Sequence, residues 1–181
     1  MNPYRRPDAM DFPGEAEGVA TGGALAVAAF ALICLGFHAF SEQGWVPILD
    51  SANLALHEAG HPLVGILSRR ATVYGGTLFQ LAFPFAVALH FRRAGNAVGA
   101  AAAWVWLAEN LLNVARYMAD ARVQELPLVG NGDHDWAEIF WRWGVLHHDG
   151  RIAWITRIAA LALIAWALAG LYRRWRETAN G

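Results

Sequence analysis

Lysine is absent from this 181-residue chain: all fourteen basic residues are arginine. No cluster of them interleaves with aromatics in the way a nucleic-acid surface requires, so nucleic acid is not an expected partner. Cysteine is almost absent. Cys34 stands alone inside an apolar block, which excludes an internal disulfide and leaves the redox compartment unread. Charge is scarce, at 16 % of residues against the roughly 25 % of soluble domains, and a net charge of −1 selects no class of partner. No small-x-small cleavage site closes the first apolar block at His38-Ala39-Phe40-Ser41, so that block reads as a retained span rather than a signal peptide. Internal repeats and low-complexity runs are missing as well.

What is abundant is apolar sequence, 56 % of the chain, clumped into blocks that a soluble protein of this size could not hide. The expected fold class is all-α: a polytopic transmembrane helix bundle of about five spans in a lipid bilayer. The blocks cover about residues 20–40, 46–67, 71–91, 96–117 and 152–172, each near the roughly 20 residues a crossing needs. Trp45 precedes the second as an interfacial anchor. Residues 1–19, with three prolines, two glycines and four acids, read as a flexible tail; 20–176 form the bundle and 177–181 a short C-terminal tail. The one long hydrophilic segment is 119–151, within which residues 135–146 mix Trp136, Ile139, Phe140, Trp141 and Trp143 with Glu138 and Arg142, the pattern of an interfacial amphipathic helix. Five spans place the termini on opposite sides, and an arginine count of eight against five then puts the N-terminus in the cytoplasm.

The second block is the least apolar. An ionised side chain at mid-helix costs roughly 2.5–3.5 kcal/mol on insertion scales, so its polar residues need a reason. Their spacing supplies one. At about 100° per residue, Asp50, Asn53, His57 and His61 fall in one narrow stripe, with Glu58 beside it. His57 and His61 are one turn apart and both can reach a single Zn²⁺, which suits two neutral imidazoles, an oxygen ligand and an open position. Glu58, directly after the first histidine, is the general base toward water in a His-Glu-x-x-His arrangement. Asn53 is one turn before His57 and is expected to orient its second ring nitrogen, Asp50 to line access, and Pro62 to kink or break the helix.

The run His57-Glu58-Ala59-Gly60-His61, with glycine before the second histidine, resembles the intramembrane zinc metalloproteases of the site-2 protease family. In that family a later membrane helix supplies an aspartate ligand from a segment of the type N-L-L-P-x-x-x-L-D-G. The run from Asn110 to Asp120 is similar at its Asn-Leu-Leu start and at the aspartate, without the proline, without the following glycine and with two extra residues between. The resemblance implies that Asp120 is the third metal ligand. Tyr117-Met118-Ala119-Asp120 is also similar to a segment of CAAX-type membrane metalloproteases, whose glutamate ligand would fall on Arg116. The same motif layout resembles small bacterial membrane proteins, which implies the inner membrane as location.

Glu109, Asn110, Asn113, Tyr117 and Asp120 share a face of the fourth block, a second polar stripe expected to face the first. Glu109 and His134 are rivals of Asp120 as third ligand, and Asn113 is a further candidate to support the site. Thr77 and Gln80 lie one turn apart beside Gly75-Gly76, which reads as helix packing before it reads as a contact to a peptide backbone or carbonyl. Asp133-His134-Asp135 and His147-His148-Asp149 are His–carboxylate clusters of the kind that make metal sites, and read otherwise as solvated loop with Asp133 or Asp135 capping a helix. The expectation is a membrane zinc metallopeptidase acting on membrane proteins or peptides. A non-hydrolytic metalloenzyme, for example di-iron, and a non-enzymatic subunit with a structural metal site stay open beside it.

Overall fold

The computed structural model describes residues 19–41, 44–129 and 133–180, so the expected N-terminal tail lies, but for Val19, outside the described residues. Among these the chain is all-helical. Five long helices, α1 (Thr21–Phe40), α2 (Leu49–Leu67), α3 (Thr72–Arg93), α4 (Ala97–Ala119) and α6 (Asp149–Asn180), are joined in order, with a short α5 (Asp135–Arg142) ahead of the last. α6 continues through residues 177–180, which the sequence pattern left as a tail.

α1, α3, α4 and α6 are long and apolar enough to cross a bilayer. α4 is the central one: 56 % of its apolar window is buried against 17 % of that of α1. It packs on α1, α3 and α6, and its alanines at 100, 101, 103 and 108 explain why. Lipid tails are as apolar as leucine, so helices associate in a membrane through close packing, which small residues permit. Leu25 and Leu32 of α1 and Ile155 and Leu161 of α6 remain exposed on the outside, where lipid replaces protein neighbours.

The termini meet. Val19 N–H donates to Thr178 Oγ1 at 3.1 Å and Trp175 Nε1–H to Thr21 Oγ1 at 3.0 Å, so α1 begins beside the end of α6. An odd number of crossings cannot do this; the four apolar helices can. The expectation of termini on opposite sides is therefore corrected. The arginine count behind a cytoplasmic N-terminus goes with it, since it set Arg173, Arg174 and Arg176 on the side away from the N-terminus.

α2 is the helix that leaves the count. At its start Trp45 lies against Arg116 and Asp50 bonds Asn113, both in the C-terminal half of α4. At its end a 3-10 turn over Arg69–Ala71 leads into α3, whose first residues lie against α5. Both ends of α2 thus lie in the half of the bundle that holds the end of α4. Gly44 at φ +60° and Ile48 at φ +69° turn the chain into it, conformations that cost glycine little and a β-branched residue more. The helix runs through Pro62 without the expected break.

Beyond α4 the chain folds back. α5 buries Trp136, Ile139 and Phe140 against Val114, Met118, Ala121 and Ala153, leaving Trp141 and Trp143 exposed. This amphipathic helix therefore closes the end of the bundle with one face and presents aromatics outward with the other.

Candidate metal centre

α2 lies almost in contact with α3. A Cβ on Gly60 would strike the Gly75 backbone, and one on Gly75 would strike that of Gly60, so each glycine is required for the approach of the other helix. Gly76, the next residue, leaves the space that the His57 ring fills. The glycine of the His-Glu-Ala-Gly-His run thus has a local reason: it lets α3 reach both imidazoles.

What α3 brings assigns each imidazole the Nδ1–H tautomer, with the Gln80 amide oxygen turned toward His57. His61 Nδ1–H donates to the Thr72 carbonyl at 3.0 Å, a partner that can only accept. His57 Nδ1–H donates to Gln80 Oε1 at 3.1 Å. Each Nε2 is then the lone-pair nitrogen, and both point at the same atom. Asp135 Oδ2 stands 2.9 Å from His57 Nε2 and 3.3 Å from His61 Nε2. Three electron-pair donors converge with no hydrogen of their own between them, and one added proton would satisfy a single contact at a time. A cation satisfies all three. Donors around a tetrahedral ion with bonds of about 2.0 Å stand about 3.3 Å apart, close to the separations here. The donor set, two imidazoles and one carboxylate, therefore fits zinc or another divalent transition metal.

Glu58 completes the group: its carboxylate and the two histidine nitrogens lie within 4.8 Å of one another. Glu58 is exposed, whereas His57 is buried, and both line a cavity of about 350 Å³ between α2, α4 and residues 126–129. Apolar Trp45, Leu54, Val114 and Leu128 share that lining with the Tyr117 ring. The Tyr117 hydroxyl accepts from Asp135 N–H at 3.1 Å, which leaves its own proton free for another acceptor.

Asp120, the aspartate of the resemblance, is not brought to the histidines. It ends α4, where its Oδ1 accepts from Glu125 N–H at 2.9 Å and its Oδ2 from Leu126 N–H at 3.1 Å. His134, the rival from the loop, donates from Nε2 to Asp120 Oδ2 at 3.3 Å and accepts at Nδ1 from Ala137 N–H. Both of its nitrogens are occupied, and burial holds it below the usual imidazole range although the Asp120 carboxylate pulls the other way. His134, not Asp133 or Asp135, is the residue that caps α5. The pair Asp120–His134 thus pins the start of α5, and the next residue, Asp135, faces the histidines.

Glu109 belongs to a separate network. Its Oε2 accepts from Asn53 Nδ2 at 2.8 Å and its Oε1 lies 3.3 Å from His38 Nε2. Asn53 Oδ1 accepts from Trp106 and Asn110, and Asp50 accepts from Asn53, Asn113 and Val46 N–H. The two polar stripes do face each other, as expected. Asn53 is committed to this network, so Gln80 rather than Asn53 orients His57. Asp149 is paired with Arg122 at 2.8 Å, and among the described residues the cluster around His57, Glu58 and His61 is the one place where His/Cys/Asp/Glu side chains gather closely enough to share an ion.

Sequence reasoning had Asp135 only as part of a His–carboxylate cluster, had Gln80 and Tyr117 only as polar residues of their helices, and missed Thr72. The available signal for Asp135 was its place at the head of an amphipathic, tryptophan-rich helix, whose apolar face has to fold back onto the bundle. Compared with known protein families, with curated proteins and with solved structures, the chain matches none.

Proposed function

We propose that this membrane protein is a zinc-dependent peptidase in which His57, His61 and Asp135 hold one ion and Glu58 is the general base, cleaving peptide bonds in or near the bilayer. The observation that carries the reading is the convergence of two histidine lone pairs on the Asp135 carboxylate, with an exposed Glu58 beside them on a cavity wall. When bound, zinc supplies Lewis acidity, polarising a carbonyl and making water a nucleophile near neutral pH. Glu58 takes the proton of the attacking water and delivers it to the leaving amine. Tyr117, whose hydroxyl proton is unspent on Asp135, donates to the oxygen on which charge develops. Gln80 and the Thr72 carbonyl keep each imidazole in the tautomer that presents Nε2. The apolar part of the cavity receives a hydrophobic segment of the substrate.

Detergent-purified protein is expected to carry close to one zinc per chain by elemental analysis. Glu58→Gln keeps that zinc and loses hydrolysis of a membrane-embedded peptide reporter by about 10²–10⁴-fold, because an amide accepts no proton from water. Protein that stays metal-free after zinc reconstitution overturns the reading. Zinc-loaded protein in which Glu58→Gln hydrolyses at full rate removes Glu58 from its role.

A further inference from the structure

At the end of the bundle away from the histidines, α4 and α6 leave a second cavity, of about 630 Å³, between the start of one and the end of the other. Its walls are small and apolar, among them Ala100, Ala167 and Gly170. Trp104 and Trp166 also line it and meet edge to face, their ring centroids 5.5 Å apart. Its rim carries Arg92, Arg173 and Arg174, at the ends of two spans, where lipid headgroups lie. None of these three guanidinium groups has an ion pair or hydrogen bond among the described residues, although Glu177 also stands at the rim. Asn96, the remaining polar group there, already caps α4 by accepting from Gly99 N–H.

The two halves of this site ask for one molecule with two ends. The apolar slot suits an alkyl chain, and the three arginines suit an anion at interfacial depth. We propose that the cavity binds an anionic phospholipid, with its phosphate on Arg92, Arg173 and Arg174 and an acyl chain along the Ala100–Gly170 wall toward Trp104 and Trp166. A zwitterionic lipid offers the same chain and phosphate but adds a cation that the arginines repel. Each arginine near the surface contributes about fivefold to the preference for an anionic headgroup.

Native mass spectrometry and thermal unfolding in neutral detergent test this with defined lipids. Phosphatidylglycerol is expected to be retained and to raise the unfolding temperature, whereas phosphatidylcholine and inorganic phosphate do neither. The triple variant R92Q/R173Q/R174Q loses the preference for phosphatidylglycerol. Gly170 has nothing within 4 Å of a built Cβ, so a side chain can start there without a clash; Gly170→Leu is expected to narrow the slot and weaken retention while all three arginines remain. Both variants are expected to keep the unfolding temperature that the unaltered protein has without lipid, which serves as the control for folding. Equal retention of the two lipids, the same stabilisation by inorganic phosphate alone, or undiminished phosphatidylglycerol binding in Gly170→Leu each overturns the proposal.

Discussion

Two polar regions share helix α2, one turn apart, and they are built on opposite rules. In the first, around Asp50 and Asn53, every short contact of the Asn53 amide pairs a donor with an acceptor: its hydrogens go to carboxylates and its oxygen receives Trp106 and Asn110. In the second, around His57 and His61, lone pairs meet a carboxylate oxygen. The Asn53 amide is complete as protein, although Asn110 Oδ1 beside it is buried with no partner. The second region is complete only with a positive charge in its centre. Polar residues in a membrane helix therefore fall into two kinds. Residues that satisfy one another hold helices together, at about 0.6 kcal/mol per contact on average. Residues whose lone pairs converge on one point, as those of His57 and His61 do on Asp135, make room for a bound cation.

That contrast can be broken first at the level of the helix both regions occupy. Reporters fused at the two ends of the chain should read the same side of the membrane, because Val19 bonds Thr178 and Trp175 bonds Thr21. Opposite sides would mean that α2 crosses the bilayer and that its two polar regions sit at different depths from those described. The next effect in size is the split between metal and stability. His61→Ala should bring bound zinc from about one equivalent to near none and leave the bundle folded. Asn53→Ala should keep the zinc and lower unfolding stability by about 2 kcal/mol, the sum of its four interhelical and local contacts at membrane strength. If both variants lose both properties, the regions are one unit and the contrast is void.

A smaller difference separates the two aspartates near α5. Asp135→Ala should weaken zinc binding by well over the ~100-fold that marks the upper range for a group touching only a ligand. Asp120→Ala acts through His134 on the start of α5 and should stay within about 10–100-fold. Competition with a calibrated chelator measures both. The reverse order would restore Asp120 as the ligand and leave Asp135 as its support.

The parts of the site that were legible before any fold was known are those that one helix contains. An i, i+4 spacing puts His57 and His61 on one face wherever the helix lies, and the same period aligns Glu109, Asn110 and Asn113 on α4. The resemblance of the Asn110–Asp120 run led to Asp120, which the chain uses to end α4 and hold His134. Gly75 and Gly76 were readable as a packing site, but not as the opening that lets Gln80 and Thr72 fix the imidazoles.

The amino-acid sequence by itself determined that this chain is helical, that it belongs in lipid, and which residues stand beside each other along a helix. Those properties follow from local backbone hydrogen bonding and from the run length of apolar side chains, both set within a few turns. Tertiary structure alone decided that α2 keeps both ends in one half of the bundle, that the termini meet, and that Asp135 faces the histidines. The last contact spans 78 residues and depends on Trp136, Ile139 and Phe140 finding their seat against α4 and α6. Helix period carries no information about which helix face will meet which, because that choice is made by packing between segments far apart in the chain.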